Sequence, residues 1–201
     1  MLIEKLESQL LLIDYQARLM PAIHEGTDVL QRATTLARIA SLLQVPVWAT
    51  EQNPDRLGSN DEALRALCSR TLPKMSFSGV DDELLSLLRP PAPARPAGNA
   101  RSLPKHLQKP QPARQERNTI LVAGCETHVC LLQTALDLLD EEFDVCVVTD
   151  ACGSRRERDR DAAFDRLAGA GAELVTVEMV AFEWLRSAAD PHFKEVLPLI
   201  R

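Results

Sequence analysis

The segment Gly124-Cys125-Glu126-Thr127-His128-Val129-Cys130 places thiol, carboxylate and imidazole groups within seven residues, after one apolar run and before an amphipathic one. Cys130 falls in the first turn of the helix expected there, with Thr127 as its candidate N-cap. The N-terminus of a helix carries roughly half a positive charge and unpaired backbone N–H groups. Both favour a thiolate, and the same N–H groups suit a developing oxyanion. A cysteine there also fits the role of a small buried hydrophobe. Asp14 follows the apolar run Leu10 to Ile13, and Glu51 and Gln52 follow Val45 to Ala49. In an open parallel sheet, ligands bind outside the carboxyl ends of the strands, where these residues are expected.

The other reactive residue types narrow the chemistry. Cys146 sits in a Val-rich run and reads as packing, Cys68 and Cys152 lie at element ends, and Cys125 reads as strand-end packing. The four histidines, His24, His106, His128 and His192, are scattered, and no CxxC or HxxxH spacing occurs. No metal site is therefore expected. Neither GxGxxG nor GxxxxGK[ST] is present, so dinucleotide and P-loop readings have no support and no cofactor is expected.

The elements that must position these residues follow from periodicity. Short Val/Ile/Leu runs alternate with longer amphipathic stretches, the pattern of a βα series with a mainly parallel sheet. Six strands are predicted: Leu10 to Ile13, Val45 to Ala49, Thr71 to Lys74, Ile120 to Ala123, Val145 to Thr149 and Leu174 to Val177. Pro73 puts the third at an edge. Helices are predicted from Thr27, as N-cap, to Gln44, then over Asp61–Leu67, Asp81–Leu88, His128–Glu141, Arg155–Ala168 and Ala181–Ala188. Arg155, Arg156, Arg158 and Arg160 alternate with Glu157, Asp159 and Asp161, a solvated or subunit-facing surface. Seven of the 13 prolines crowd into residues 89–117, which excludes a continuous helix or central strand and marks a surface insertion.

Composition bounds the rest. The 201 residues fit one domain over 1–201, and 45% hydrophobic against 26% charged residues excludes wholesale disorder. Lys plus Arg is 23 and Asp plus Glu is 29, a net charge of −6, which argues against nucleic acid or anionic membrane as partner. Leu10 to Ile13 is far short of the ~18 residues of a spanning helix, and no basic-apolar-small leader precedes it. Five cysteines without regular spacing suit a reducing compartment. A cytoplasmic protein is the expectation.

The chain resembles the isochorismatase-like (cysteine hydrolase) superfamily, in its isochorismatase domain-containing hydrolase branch. The resemblance rests on LLIDYQ at 11–16, VPVWATEQNP at 45–54, PKMSFS at 73–78, VAGCETHVCLLQTALDLL at 122–139, VTDACGSR at 148–155 and DPHFKE at 190–195. It runs nearly end to end, apart from the Pro-rich insertion. It implies a Rossmann-like three-layer α/β/α sandwich and an Asp-Lys-Cys triad. Asp14 matches the family's aspartate, Lys74 its lysine and Cys130 its nucleophile. In that arrangement Cys130 attacks an amide-like carbon, Asp14 carries the proton, and Lys74 favours the thiolate and orients Asp14. The resemblance also implies a cis peptide at Cys125–Glu126, so that the Glu126 and Cys130 N–H groups form an oxyanion hole. Gln16, Gln52, Phe77, Thr127 and His128 are the substrate-facing candidates.

Departures within the superfamily refine this reading. True isochorismatases lack the cysteine, so Cys130 points to thiol chemistry. Family nicotinamidases carry Asp-x-His after the second strand, where this chain has Glu51-Gln52-Asn53, so nicotinamidase activity is disfavoured. The expected protein is a cofactor-independent hydrolase of a small C–N bonded substrate, assembled as a homo-oligomer. The alternatives are a non-catalytic oligomeric scaffold that keeps the fold, and a redox-responsive thiol protein using Cys130 near Cys125.

Overall fold

The computed structural model describes residues 2–90 and 117–201. Most of the expected 89–117 insertion lies outside the described residues. Six strands form one sheet: β1 (Ser8–Ile13), β2 (Val47–Gln52), β3 (Arg70–Lys74), β4 (Thr119–Gly124), β5 (Asp144–Val148) and β6 (Glu173–Val175). Their order is β3-β2-β1-β4-β5-β6, and every pairing is parallel. β1 is buried along its whole length and β4 from its second residue onward, as the continuous apolar runs require of strands covered on both faces. The chain winds outward from β1 to β3, then restarts beside β1 with β4. In open α/β sheets such a reversal marks the place where ligands bind, here the carboxyl ends of β1 and β4.

The long helix α1 (Gly26–Leu42) buries Val29, Ala33, Leu36, Ala37 and Ala40 against the sheet. It packs with α7 (Val177–Leu185) and α8 (Phe193–Ile200). The short helices α2 (Pro54–Leu57) and α3 (Glu62–Arg65) join β2 to β3. α4 (Asp82–Leu88) precedes the insertion, and α5 (Leu132–Asp140) and α6 (Glu157–Gly169) pack together after β4 and β5. The result is the three-layer α/β/α sandwich, with its core on both faces of β1 and β4.

Several boundaries differ from the sequence reading, each for a local reason. Thr27 is not the N-cap of α1: the helix starts at Gly26 behind Glu25, without a side-chain cap. The preceding turn folds back so tightly that a Cβ on Gly26 would lie 2.5 Å from the Met20 carbonyl oxygen. β2 extends to Gln52, so Glu51 and Gln52 belong to the strand. Val177 opens α7 instead of closing β6, because Thr176 caps the helix by accepting from the Met179 N–H at 3.3 Å. The expected helix over 181–188 is therefore shifted toward the N-terminus. α8 was not expected; Pro198 lies inside that helix. The acidic caps before α3 and α4 are present: Asp61 accepts from Ala63 and Leu64, and Asp81 from Leu84. Pro73, which has no N–H to donate, lies on β3 at the sheet's edge.

Candidate active site

Asp14 leaves β1 in the left-handed region with φ 56°, a conformation that Asp tolerates better than most residues. Its side chain is fully buried. One carboxylate oxygen accepts from Thr50 Oγ1 at 2.8 Å, and the other lies 2.7 Å from Lys74 Nζ. Thr50 is brought there by the parallel register, which sets it opposite Ile13. Lys74 closes β3 opposite Gln52 and is itself buried. Its ammonium donates to Gln52 Oε1 at 2.7 Å, to the Phe77 carbonyl at 3.0 Å and to the Ser76 carbonyl at 3.4 Å. A buried ammonium is tolerable only with such partners.

Cys130 enters from the third strand end. Gly124 ends β4 against Ile13, and a Cβ there would lie 2.4 Å from the Ile13 carbonyl oxygen, so only glycine fits. The Cys125–Glu126 peptide bond is cis. Thr127–Leu131 then form a single π-helical turn that carries Cys130 and runs into α5. Such turns recur at functional sites because they re-aim side chains. The Asp14 and Lys74 charges oppose each other at the Cys130 thiol, Asp14 raising its proton affinity and Lys74 lowering it. The Asp14–Lys74 pair and the Cys130 thiol thus share one charge environment at the carboxyl edge of the sheet.

The protonation state departs from the sequence reading. A helix N-terminus and a lysine were expected to favour the thiolate. Instead the Cys130 thiol is pushed up to about 12, first by burial and next by the Asp14 charge, with Lys74 opposing. Cys130 is only 7% exposed, and burial is the largest of the effects on its thiol. The resting group is a thiol beside a carboxylate–ammonium pair.

The Isochorismatase domain model matches residues 8–179. The chain belongs to the isochorismatase family. Isochorismatase domain-containing protein 2A of Mus musculus is 35% identical over 194 residues, spanning 96% of this chain and 82% of that protein. Among solved structures, a MAR1 ribonuclease from Caenorhabditis elegans shares 28% identity at a TM-score of 0.83, covering 98% of this chain and 91% of the other. A cysteine hydrolase from Pseudomonas syringae pv. phaseolicola 1448A has the same fold, with a TM-score of 0.70, 18% identity and coverage of 91% and 94%. Family membership across most of the chain supports a hydrolase function.

The remaining candidates of this isochorismatase-family chain divide into two groups. Gln16 is fully buried, and its amide is spent within the protein. Its Oε1 accepts from the Gln52 N–H at 2.8 Å, and its Nε2 donates to the carbonyls of Gln52 at 3.0 Å and Gly58 at 2.5 Å. Gln52 likewise turns its side chain to Lys74 and to the Met75 carbonyl, at 2.7 and 2.8 Å. Both amides, expected from sequence to face substrate, are hydrogen-bonded to protein groups. Both brace the site.

Phe77 remains half exposed beside Lys74, with Met75 exposed nearby. Thr127 is not an N-cap: Glu126 holds that position without a side-chain bond, and Thr127 Oγ1 is buried with no hydrogen-bond partner among the described residues. His128 Nδ1 meets Ser154 Oγ at 2.9 Å.

Sequence reasoning missed Thr50, Ser154 and Arg155. Arg155 donates its backbone N–H and Nε to the Glu126 carboxylate, at 3.1 and 2.9 Å, and so ties down the loop before Cys130. Thr50 had one available signal, its place at the carboxyl end of the strand neighbouring Asp14. Ser154 and Arg155 lie in the matched stretch at 148–155, but nothing local names their partners, which lie more than 25 residues away.

A cleft of 480 Å³ lined by Gln9, Pro46, Trp48, Leu88 and Arg117 opens at the amino ends of the strands, opposite these groups. The Gln9 amide is engaged there with Trp48 and the Leu88 and Arg117 carbonyls. No helix among the described residues is long and apolar enough to cross a membrane. Among those residues, no group of three His, Cys, Asp or Glu side chains is arranged to hold a metal ion.

Proposed function

We propose that this chain is a cofactor-independent cysteine hydrolase that cleaves a small amide-like C–N bond through a thioester. The observation that carries the reading is the buried Asp14–Lys74 pair, 2.7 Å apart, acting on the Cys130 thiol at the carboxyl edge of the sheet. A thiol held up to about 12 needs a base at the moment of attack, and Asp14 is the carboxylate beside it.

In this mechanism Sγ attacks the carbonyl carbon as its proton passes to Asp14. The oxyanion is received by the backbone N–H groups of Glu126 and Cys130. Collapse breaks the C–N bond, and Asp14 delivers the proton to the departing nitrogen. A water then attacks the thioester, giving one proton to Asp14. The acid leaves and Sγ recovers its proton, restoring the thiol. Lys74 keeps Asp14 oriented and offsets negative charge as the thiolate develops. Phe77, Thr127 and His128 are the proposed substrate contacts, and the active unit is proposed to be a homo-oligomer.

The test is turnover of a panel of small amides, imides and ureides by the wild type and by Cys130→Ala. The wild type should hydrolyse at least one class, with Cys130→Ala folded and inactive. Hydrolysis by Cys130→Ala at the wild-type rate refutes the proposal.

A further inference from the structure

We infer that Gln52 is a positioning residue that fixes the Lys74 ammonium through a neutral acceptor, leaving Asp14 as its charged partner. This inference rests on the hydrolase reading above and deepens it. Lysine carries its charge on a flexible four-carbon stem with three donors, so its nitrogen stays in place only if acceptors surround it. Here the acceptors are Gln52 Oε1 at 2.7 Å and the Phe77 carbonyl at 3.0 Å, with the Ser76 carbonyl at 3.4 Å, beside the 2.7 Å ion-pair contact with Asp14. Of these groups only Asp14 is charged.

The orientation of the Gln52 amide follows from its bonds. Its Nε2 donates to the Met75 carbonyl at 2.8 Å, which turns Oε1 toward the lysine. The backbone of Gln52 is clamped in turn. The buried Gln16 amide pairs with both its N–H and its carbonyl, in the manner of an extra strand at the end of β2. A relay of two amides therefore connects the end of β1 to the ammonium on β3 without adding charge.

Neutrality is the functional point. A carboxylate at position 52 would make a second ion pair with Lys74 and offset the positive charge that lowers the Cys130 thiol. An apolar side chain there would release the ammonium from one of its two shortest contacts.

The experiment measures iodoacetamide alkylation of Cys130 in the full-length protein between pH 7 and 10. It compares wild type, Gln52→Glu, Gln52→Met and Lys74→Met, with folding followed by circular dichroism. Gln52→Glu should move the profile to higher pH by about one unit. Tenfold fewer thiolates, partly offset by their greater nucleophilicity, give a rate at pH 8 about threefold lower. Gln52→Met should slow alkylation less.

A folded Gln52→Glu that reacts at the wild-type rate overturns the inference. If Gln52→Glu does not fold, an unchanged rate in Gln52→Met does so. Lys74→Met separates the two readings. If it slows alkylation while the Gln52 variants do not, only the role of Gln52 fails. If it too leaves the profile unchanged, the electrostatic role of Lys74 fails with it.

Discussion

Asp14→Asn is expected to abolish hydrolysis and yet make Cys130 react faster with an alkylating agent. The Cys130 thiol is pushed up to about 12 by burial and by the Asp14 charge, while Lys74 pulls the other way. Two like charges at ~4 Å in an effective dielectric of ~20 repel by ~4 kcal/mol, or ~3 pKa units, which sets the upper scale of what the Asp14 charge can contribute. Asparagine removes that charge and leaves Lys74 unopposed. It can keep the acceptor for Thr50 and the left-handed backbone at φ 56°. The ammonium retains Gln52 Oε1 and the Phe77 carbonyl as partners.

At pH 8 the thiolate population should then rise by at most ~1000-fold, while intrinsic nucleophilicity falls by up to ~20-fold at a Brønsted slope of ~0.45, a net acceleration of up to roughly 40-fold. The assay is mass spectrometry of the Cys130 peptide after timed iodoacetamide exposure of the intact protein, with a thermal melt to confirm folding. Alkylation at or below the wild-type rate in folded Asp14→Asn refutes the electrostatics on which the mechanism depends.

Two further outcomes test the scaffold. Burial raises the thiols of Cys125 and Cys152 above their ordinary value of 9.0, so the folded chain holds these protons to a higher pH than the unfolded chain does. Their contribution is therefore complete below pH ~9 and is lost as pH rises toward the folded values, at ~1.4 kcal/mol per unit for each thiol. Urea unfolding at pH 10 should show ~3 kcal/mol less stability than at pH 8 from this pair; no loss would contradict their burial. Gly124→Ala should cost at least ~3 kcal/mol or prevent folding, because its Cβ would lie 2.6 Å from Ile13 Cβ with backbone behind it. A soluble variant with an unchanged denaturation midpoint would contradict the close approach of β1 and β4.

The central strands were legible because β1 and β4 are compact apolar runs buried on both faces, and the prediction of six strands, with the Pro73 strand at an edge, agrees with the sheet. Helix starts were less legible. Thr27 and Thr127 have the chemistry of N-caps, yet the turn behind Gly26 and the π turn after β4 place the starts elsewhere. Of the candidate site, Asp14 and Cys130 could be singled out from their positions after apolar runs. Lys74 carried no comparable signal of its own and entered only through its resemblance to a family pattern. Gln16 and Gln52 were recognised as belonging to the neighbourhood, but the direction of an amide is set by its hydrogen bonds, and these join residues 36 and 22 apart.

Local sequence by itself determined the alternation of strand and helix, the edge position imposed by Pro73 and the chemical types available at the strand ends. Those properties depend on backbone preferences and hydrophobic period, which act over a few residues. The tertiary structure decided which side chains share a charge environment. It paired Asp14 with Lys74, gave Gln52 to the ammonium and left the Cys130 sulfur protonated instead of ionised. Proton affinity depends on desolvation and on charges only ångströms away, and neither exists until the strands have been laid side by side and covered.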